Sequence, residues 1–237
     1  MAPVPRPPGL SAAELYETGH GEDGPARRKA FQAAFKTAVG PWLKQEGFVL
    51  NGATARRFVG DAVHLINLQR WKHGGGVAVN LGIHFRFLPL LFNPPPWESL
   101  EEHWCALRWR LTPDGGDFWW RDGIDAGETA SSVDHLKATL LEHGAPWFDA
   151  FGEWPGAYPD VTVAALPSLA ARFLGGVPVL AMARVLAQAQ RCAQARSLVQ
   201  HQQAQLAAQA RPNPALAAAV ADTAMFIQDV CRSVDGV

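Results

Sequence analysis

The stretch AVHLINLQRWKHGGGVAVNLGIHFRF, residues 62–87, decides the fold. Ala62–Lys72 alternates between apolar and polar residues, and Val77–Phe87 does so again. Val77, Val79, Leu81, Ile83 and Phe85 share one face, while Ala78, Asn80, Gly82, His84 and Arg86 share the other, as the two-residue period of a strand requires. His73-Gly-Gly-Gly76 between them is a turn, so the two runs are predicted to pair as an antiparallel hairpin. Working outward, Phe48–Leu50 and Ala55–Val59 are short strand candidates, with Gly60-Asp61 as a turn. Leu100–Leu111 reads as a further long strand, with Cys105, Leu107, Trp109 and Leu111 opposite Ala106, Arg108 and Arg110. Asp114-Gly-Gly-Asp117 is another turn. It leads into Phe118-Trp-Trp120, where adjacent tryptophans point to opposite faces.

Helical spacing flanks these strands. Phe31, Ala34, Phe35, Ala38, Trp42 and Leu43 predict a helix over Pro25–Glu46, split or kinked at Gly40-Pro41. A second helix is expected from Ser132 to about Leu141, capped by Ser131 or Ser132. Composition then shifts. All nine tryptophans lie at or before Trp154, and Lys137 is the last lysine. From Val161 onward the chain is rich in Ala and Gln and reads as three or four helices. Val179–Gln209 forms two of them around Gln188–Arg191, a weak likeness to a tetratricopeptide hairpin, and Asn213-Pro214 opens the last. The expected fold is α+β: an antiparallel sheet of four to six strands with helices on one face, followed by an all-helical C-terminal subdomain. The expected divisions are a Pro/Gly-rich flexible tail at 1–24, an α+β domain at 25–155 and a helical subdomain at 156–237.

With 237 residues, 48% of them hydrophobic, the chain is long enough to bury a core without staples. A formal charge of −1 argues against general nucleic-acid binding. Cys105, Cys192 and Cys231 are odd in number and widely spaced, which predicts no disulfide framework and a reducing, cytoplasmic location. The N-terminus lacks the apolar run of a signal peptide. The most apolar stretches, on either side of Arg172, are too short to span a membrane.

The chain carries candidate binding groups rather than a catalytic set. His73-Gly-Gly-Gly76 matches an esterase oxyanion loop, yet the chain has no Gly-x-Ser-x-Gly elbow. The histidines show no metal-binding spacing, and Glu98, Glu101, Glu102, Asp114, Asp117, Asp122, Asp125 and Glu128 read as solvated turn residues. No metal or cofactor is therefore expected. If the strands are neighbours, one sheet face collects Asn80, His84, Arg86, Arg108 and Arg110 beside Trp104. A cationic, aromatic-edged surface of this kind suits a carboxylate, a phosphate or an acidic protein. Equally, it is what a solvated sheet face looks like. Asn67, Gln69 and Asn80, with Arg108, are the polar anchors of an alternative small-molecule pocket.

Several of these segments together resemble a known family. They are Leu43-Lys-Gln-Glu-Gly-Phe48, Ala55-Arg-Arg-Phe-Val59, Leu65-Ile-Asn-Leu-Gln-Arg-Trp71, Val77-Ala-Val-Asn-Leu-Gly-Ile83, Leu107-Arg-Trp-Arg-Leu111 and Phe118-Trp-Trp120. In this order they resemble the bacterial domain-of-unknown-function family 4304 over about residues 31–151. The resemblance implies a fold class and no catalytic residue. By analogy with small bacterial immunity proteins, the expected function is non-enzymatic: binding and neutralising a toxin or effector. His84, Arg86, Trp104, Arg108 and Arg110 are the expected contacts. A small-molecule binder or enzyme built on Asn67, Gln69 and Asn80 is the alternative.

Overall fold

The computed structural model describes residues 23–72, 74–89, 95–153, 161–211 and 213–232. The expected flexible tail, His73 and the 155/156 boundary therefore lie wholly or largely outside the described residues. The chain divides into two compact units, Met1–Arg86 with Leu90–Ala157, and Phe87–Pro89 with Tyr158–Val237.

The first unit opens with α1 (Gly24–Ala38) and α2 (Gly40–Gln45), the predicted helix broken where Gly40-Pro41 removes a backbone donor. Strands β1 (Val49–Asn51), β2 (Thr54–Val59), β3 (Ala62–Arg70), β4 (Gly76–Phe85) and β5 (Leu107–Arg110) follow in that spatial order, all antiparallel. A short β6 (Trp120–Arg121) pairs with the start of β4. The β3–β4 hairpin runs from Ala62↔Phe85 to Arg70↔Val77. Its turn uses Gly74 at φ 84° and Gly75 at φ 83°, two consecutive left-handed residues that side chains with a Cβ adopt only at a cost. α3 (Ala126–Thr139), a π turn (Leu140–Gly144) and α4 (Ala145–Gly152) complete the unit.

One face of the sheet packs helices. Buried Phe31, Phe35, Leu43, Leu136, Leu140, Trp147, Phe148 and Phe151 come from the helical side, and Val79, Leu81, Ile83 and Phe85 from β4. Gly144 marks how close they come: a Cβ there would lie 2.6 Å from Leu140 Cδ1 and 3.4 Å from Leu81 Cδ1. The adjacent tryptophans split as expected. Trp120 is buried and donates from its indole to His135 of α3 (3.0 Å), whereas Trp119 packs with Ala78 and Trp71 on the other face.

Two sequence expectations need correction. The predicted strand Leu100–Leu111 is a strand only over Leu107–Arg110. Residues 97–104 instead form two 3-10 turns, Trp97–Ser99 and Glu102–Trp104. They lie across the second sheet face, where Val63, Leu65, Leu100 and Cys105 form a cluster flanked by Trp97 and Trp104. Gly82 permits this, because a Cβ there would sit 2.7 Å from Cys105 Sγ. The helix expected from Ser132 starts at Ala126, capped by Asp125. Asp125 accepts from the Glu128 N–H (2.8 Å), and the Glu128 carboxylate accepts from the Ile124 N–H (3.1 Å). This capping-box logic outcompetes the serine caps.

In the second unit, 3-10 turns at Val163–Ala165 and Ala170–Arg172 flank α5 (Leu166–Leu169). α6 (Val179–Gln188) and α7 (Cys192–Ala207) form the expected helical hairpin, turning at Gln190 with φ 61°. α8 (Pro214–Cys231) is capped by Asn213, whose side chain accepts from the Ala215 and Leu216 N–H groups. The nearly buried Arg184 of α6 donates to Thr223 Oγ1 (3.1 Å), pairs with Asp222, and lies 4.9 Å from the Phe226 ring centre. Cys192 and Cys231 are joined by a disulfide, which corrects the reading that wide cysteine spacing means no bridge: α7 begins where α8 ends. α8 has a mean hydropathy of 1.2 and is long and apolar enough to cross a membrane by length and composition. This stretch lies beyond the two apolar runs that flank Arg172. In the fold, Val220, Thr223, Ile227 and Cys231 of α8 are buried.

Candidate functional site

The register places the predicted residues on one face. Asn80 pairs with Arg110, Gly82 with Arg108, Asn67 with Asn80 and Gln69 with Ala78. With alternation along each strand, Asn67, Gln69, Asn80, His84, Arg108 and Arg110 all project from the side opposite the helices. That shared face divides into three environments.

At one end, His84 is built into the packing under the 3-10 turns, and Arg108, a third exposed, pairs beside it. The His84 ring is 2% exposed, accepts from the Ala106 N–H (3.2 Å) and lies 5.7 Å from Trp97. Arg108 donates twice to Glu102, at 2.6 and 3.2 Å. Trp104 is half-buried on the Val63–Leu65–Leu100–Cys105 cluster. Beyond them, Arg86 is exposed at the β2–β3 turn, where it meets Asp61 (3.7 Å) and the Gly60 carbonyl.

At the other end is a polar and aromatic patch. Arg110 donates to Gln69 Oε1 and Asn80 Oδ1, both at 3.0 Å, and meets Asp117 at 3.1 Å. Its guanidinium lies 5.0 Å from the Trp119 ring centre. Asn80 donates to Gln69 Oε1 (2.9 Å), and Asn67 donates to Thr54 Oγ1 (2.9 Å). Trp119 donates to Asp117 (2.9 Å) and meets Trp71 edge-on at 4.8 Å. Gln69 and Asp117 face solvent. The array therefore brings together two amides, a guanidinium and two indoles. Trp71, Asp117 and Trp119 were not among the residues the sequence singled out for this site. Trp71 has a signal in its shared strand parity with Gln69, whereas Asp117 and Trp119 lie outside the strands.

The acidic residues expected in solvated turns include two that are buried. Glu102 is 6% and Asp122 2% exposed, each answering an arginine. Asp122 accepts from Arg70, which also donates to the Arg28 carbonyl (3.2 Å) and lies 5.3 Å from the Phe31 ring centre. Burial raises the Asp122 pKa above its usual value, and Arg70 offsets part of that rise. Burial likewise pushes the Cys105 thiol well up, with Glu102 adding to the effect, and the side chain packs in the Val63–Leu65–Leu100 cluster. Among the described residues, no group of three or more His, Cys, Asp or Glu could hold a metal ion.

On the helix side His64 is held neutral. Its pKa is lowered to about 4, first by burial, then by the neighbouring Arg57 charge, against the Gly152 carbonyl. Arg57 Nε donates to its Nδ1 (3.0 Å) and its Nε2–H meets the Gly152 carbonyl (3.0 Å), so a proton on Nδ1 would face a donor. A folded pKa of about 4, below the ordinary 6.5, gives stability that is full above pH 6.5 and lost as the pH falls toward 4. The loss is roughly 3 kcal/mol. The difference in unfolding free energy between the wild type and His64→Gln should therefore grow by about that amount between pH 4 and 6.5. A parallel dependence in both proteins would refute the assignment.

Residues 39–150 match the family described as "Domain of unknown function (DUF4304)". Neither a curated protein nor a solved structure matches the chain. The matched stretch begins at the α1–α2 break and runs through the sheet, α3 and most of α4. It thus contains both ends of the polar face, and residues 39–150 of this chain are a DUF4304 domain.

Proposed function

We propose that this is a non-enzymatic protein-binding protein whose contact surface is the open end of the sheet face. In its most specific form, the reading is a bacterial immunity protein that neutralises a toxin or effector domain by direct binding. The observation that carries the binding reading is the Arg110 array. A guanidinium stacked on Trp119 and braced by Gln69, Asn80 and Asp117 loses little conformational entropy on contact. Arg and Trp are also the residue types that dominate interface hot spots. His84, expected as a contact, acts here as a support, because its ring is buried and engaged inside the domain; Arg108, paired with Glu102 and a third exposed, remains at the edge of the surface.

Capture from the native host with the full chain as bait tests this reading. The expected result is a stoichiometric protein partner, toxin-bearing in the specific form. Arg110→Glu should weaken its binding by about thirtyfold or more, while Lys44→Glu, on α2, leaves it unchanged. Capture that survives Arg110→Glu, or no stoichiometric partner, would overturn the proposal.

A further inference from the structure

A cavity of about 230 Å³ lies beside the β3–β4 turn, walled by Arg27, Gly75, Arg121, Asp122, Ile124 and Glu128. Its charges are unevenly satisfied. Asp122 accepts from Arg70, and the Glu128 carboxylate accepts from the Ile124 N–H. The acids of the wall are thus already engaged within the domain. Arg121 Nε, by contrast, is buried and has no hydrogen-bond partner. A buried donor left unpaired is costly and is uncommon in folded proteins. Arg27 brings a second guanidinium, 3.8 Å from an exposed Asp23 carboxylate. The lip is apolar, since Ile124 is 60% exposed. The wall is also sterically fixed. Gly123 has φ +81°, and a Cβ there would fall 2.5 Å from the Thr129 N.

We propose that this cavity binds a small carboxylate with an apolar body, the carboxylate on Arg121 and Arg27 and the body against Ile124. The planar guanidinium fork matches a carboxylate. A bare oxyanion would answer the arginines but not the isoleucine. The volume is below the ~300–1,000 Å³ of drug-sized sites, which favours a ligand of about benzoate's size. The site is separate from the Arg110 array and stands or falls independently of it.

Titration calorimetry on the full chain tests the proposal with benzoate, benzamide and inorganic phosphate as probes. Benzoate should bind saturably at one site and benzamide about tenfold more weakly or worse. Arg121→Gln should weaken benzoate by about tenfold. Ile124→Ser, at an exposed position that leaves the fold intact, should weaken benzoate and leave phosphate unaffected. Absence of benzoate binding, equal binding of benzamide, or unchanged affinity in both variants would overturn it.

Discussion

Arg70→Met is expected to lower the unfolding free energy by about 4 kcal/mol at pH 7, and by clearly less at acid pH. The magnitude is that of removing one partner from a buried ion pair. Asp122 is 3% exposed in its side chain and Arg70 23%, so the variant leaves a carboxylate in a poorly solvated site. The pH dependence follows from the direction of the Asp122 pKa. A carboxyl whose folded pKa is raised above 3.8 favours the fold below that value. It loses the contribution as the pH rises through its folded pKa. Arg70 counteracts the rise, so without it the carboxyl is pushed higher and the cost of keeping it charged grows toward neutrality. Protonation at low pH relieves that cost. Asp122→Asn is the contrasting change and should cost less, because Arg70 keeps the Arg28 carbonyl and the Phe31 ring and remains partly solvated. Urea unfolding of both variants at pH 7 and pH 4.5 measures this. An Arg70→Met cost that is equal at both pH values would show that the pair is not what holds Asp122.

This pair also shows where sequence reasoning stops. The hairpin at 62–85 was legible because alternation and a glycine turn are local signals, and its register followed. The sharing of one face by Asn80, His84, Arg108 and Arg110 was legible for the same reason. What alternation cannot report is what lies above a face. Cys105–Leu111 alternates like a strand and extends the reading back to Leu100, yet Gly82 gives Glu102 and Cys105 room to cross β4 where the chain forms 3-10 turns. The polar face thereby divides into a covered part around His84 and a part around Arg110 where Gln69 and Asp117 reach solvent. Asp122 and Glu102 were misread as solvated because their partners, Arg70 and Arg108, are 52 and 6 residues away. The longer separation has no sequence signature at all. The Asp125–Glu128 cap did have one, in its three-residue spacing, and the nearby serines obscured it.

The second large effect is expected in the helical unit. Joining Cys192 to Cys231 closes a segment of 39 residues in sequence separation, which chain-entropy arguments value at about 4 kcal/mol. Beside the bridge, α7 contributes buried Ala195, Leu198 and Val199 to the unit. The far half of α7 is poorly buried, and α8 buries Val220, Thr223, Ile227 and Cys231. Replacing both cysteines with serine, or reducing the protein, should therefore unfold the helical unit at lower urea than the sheet unit. The wild type under oxidising conditions should show the two transitions closer together. Thiol counts provide a direct check. The denatured, unreduced protein should expose one thiol, that of Cys105, and the reduced protein three. Three thiols before reduction would refute the bridge. The outcome bears on location as well, because structural disulfides persist in oxidising compartments and are rare in a reducing cytoplasm. Thiol trapping during lysis of the native host separates the two cases: a bridge intact at lysis argues for an oxidising compartment, and a dithiol at lysis argues for the cytoplasm with a helical unit that is correspondingly easier to open.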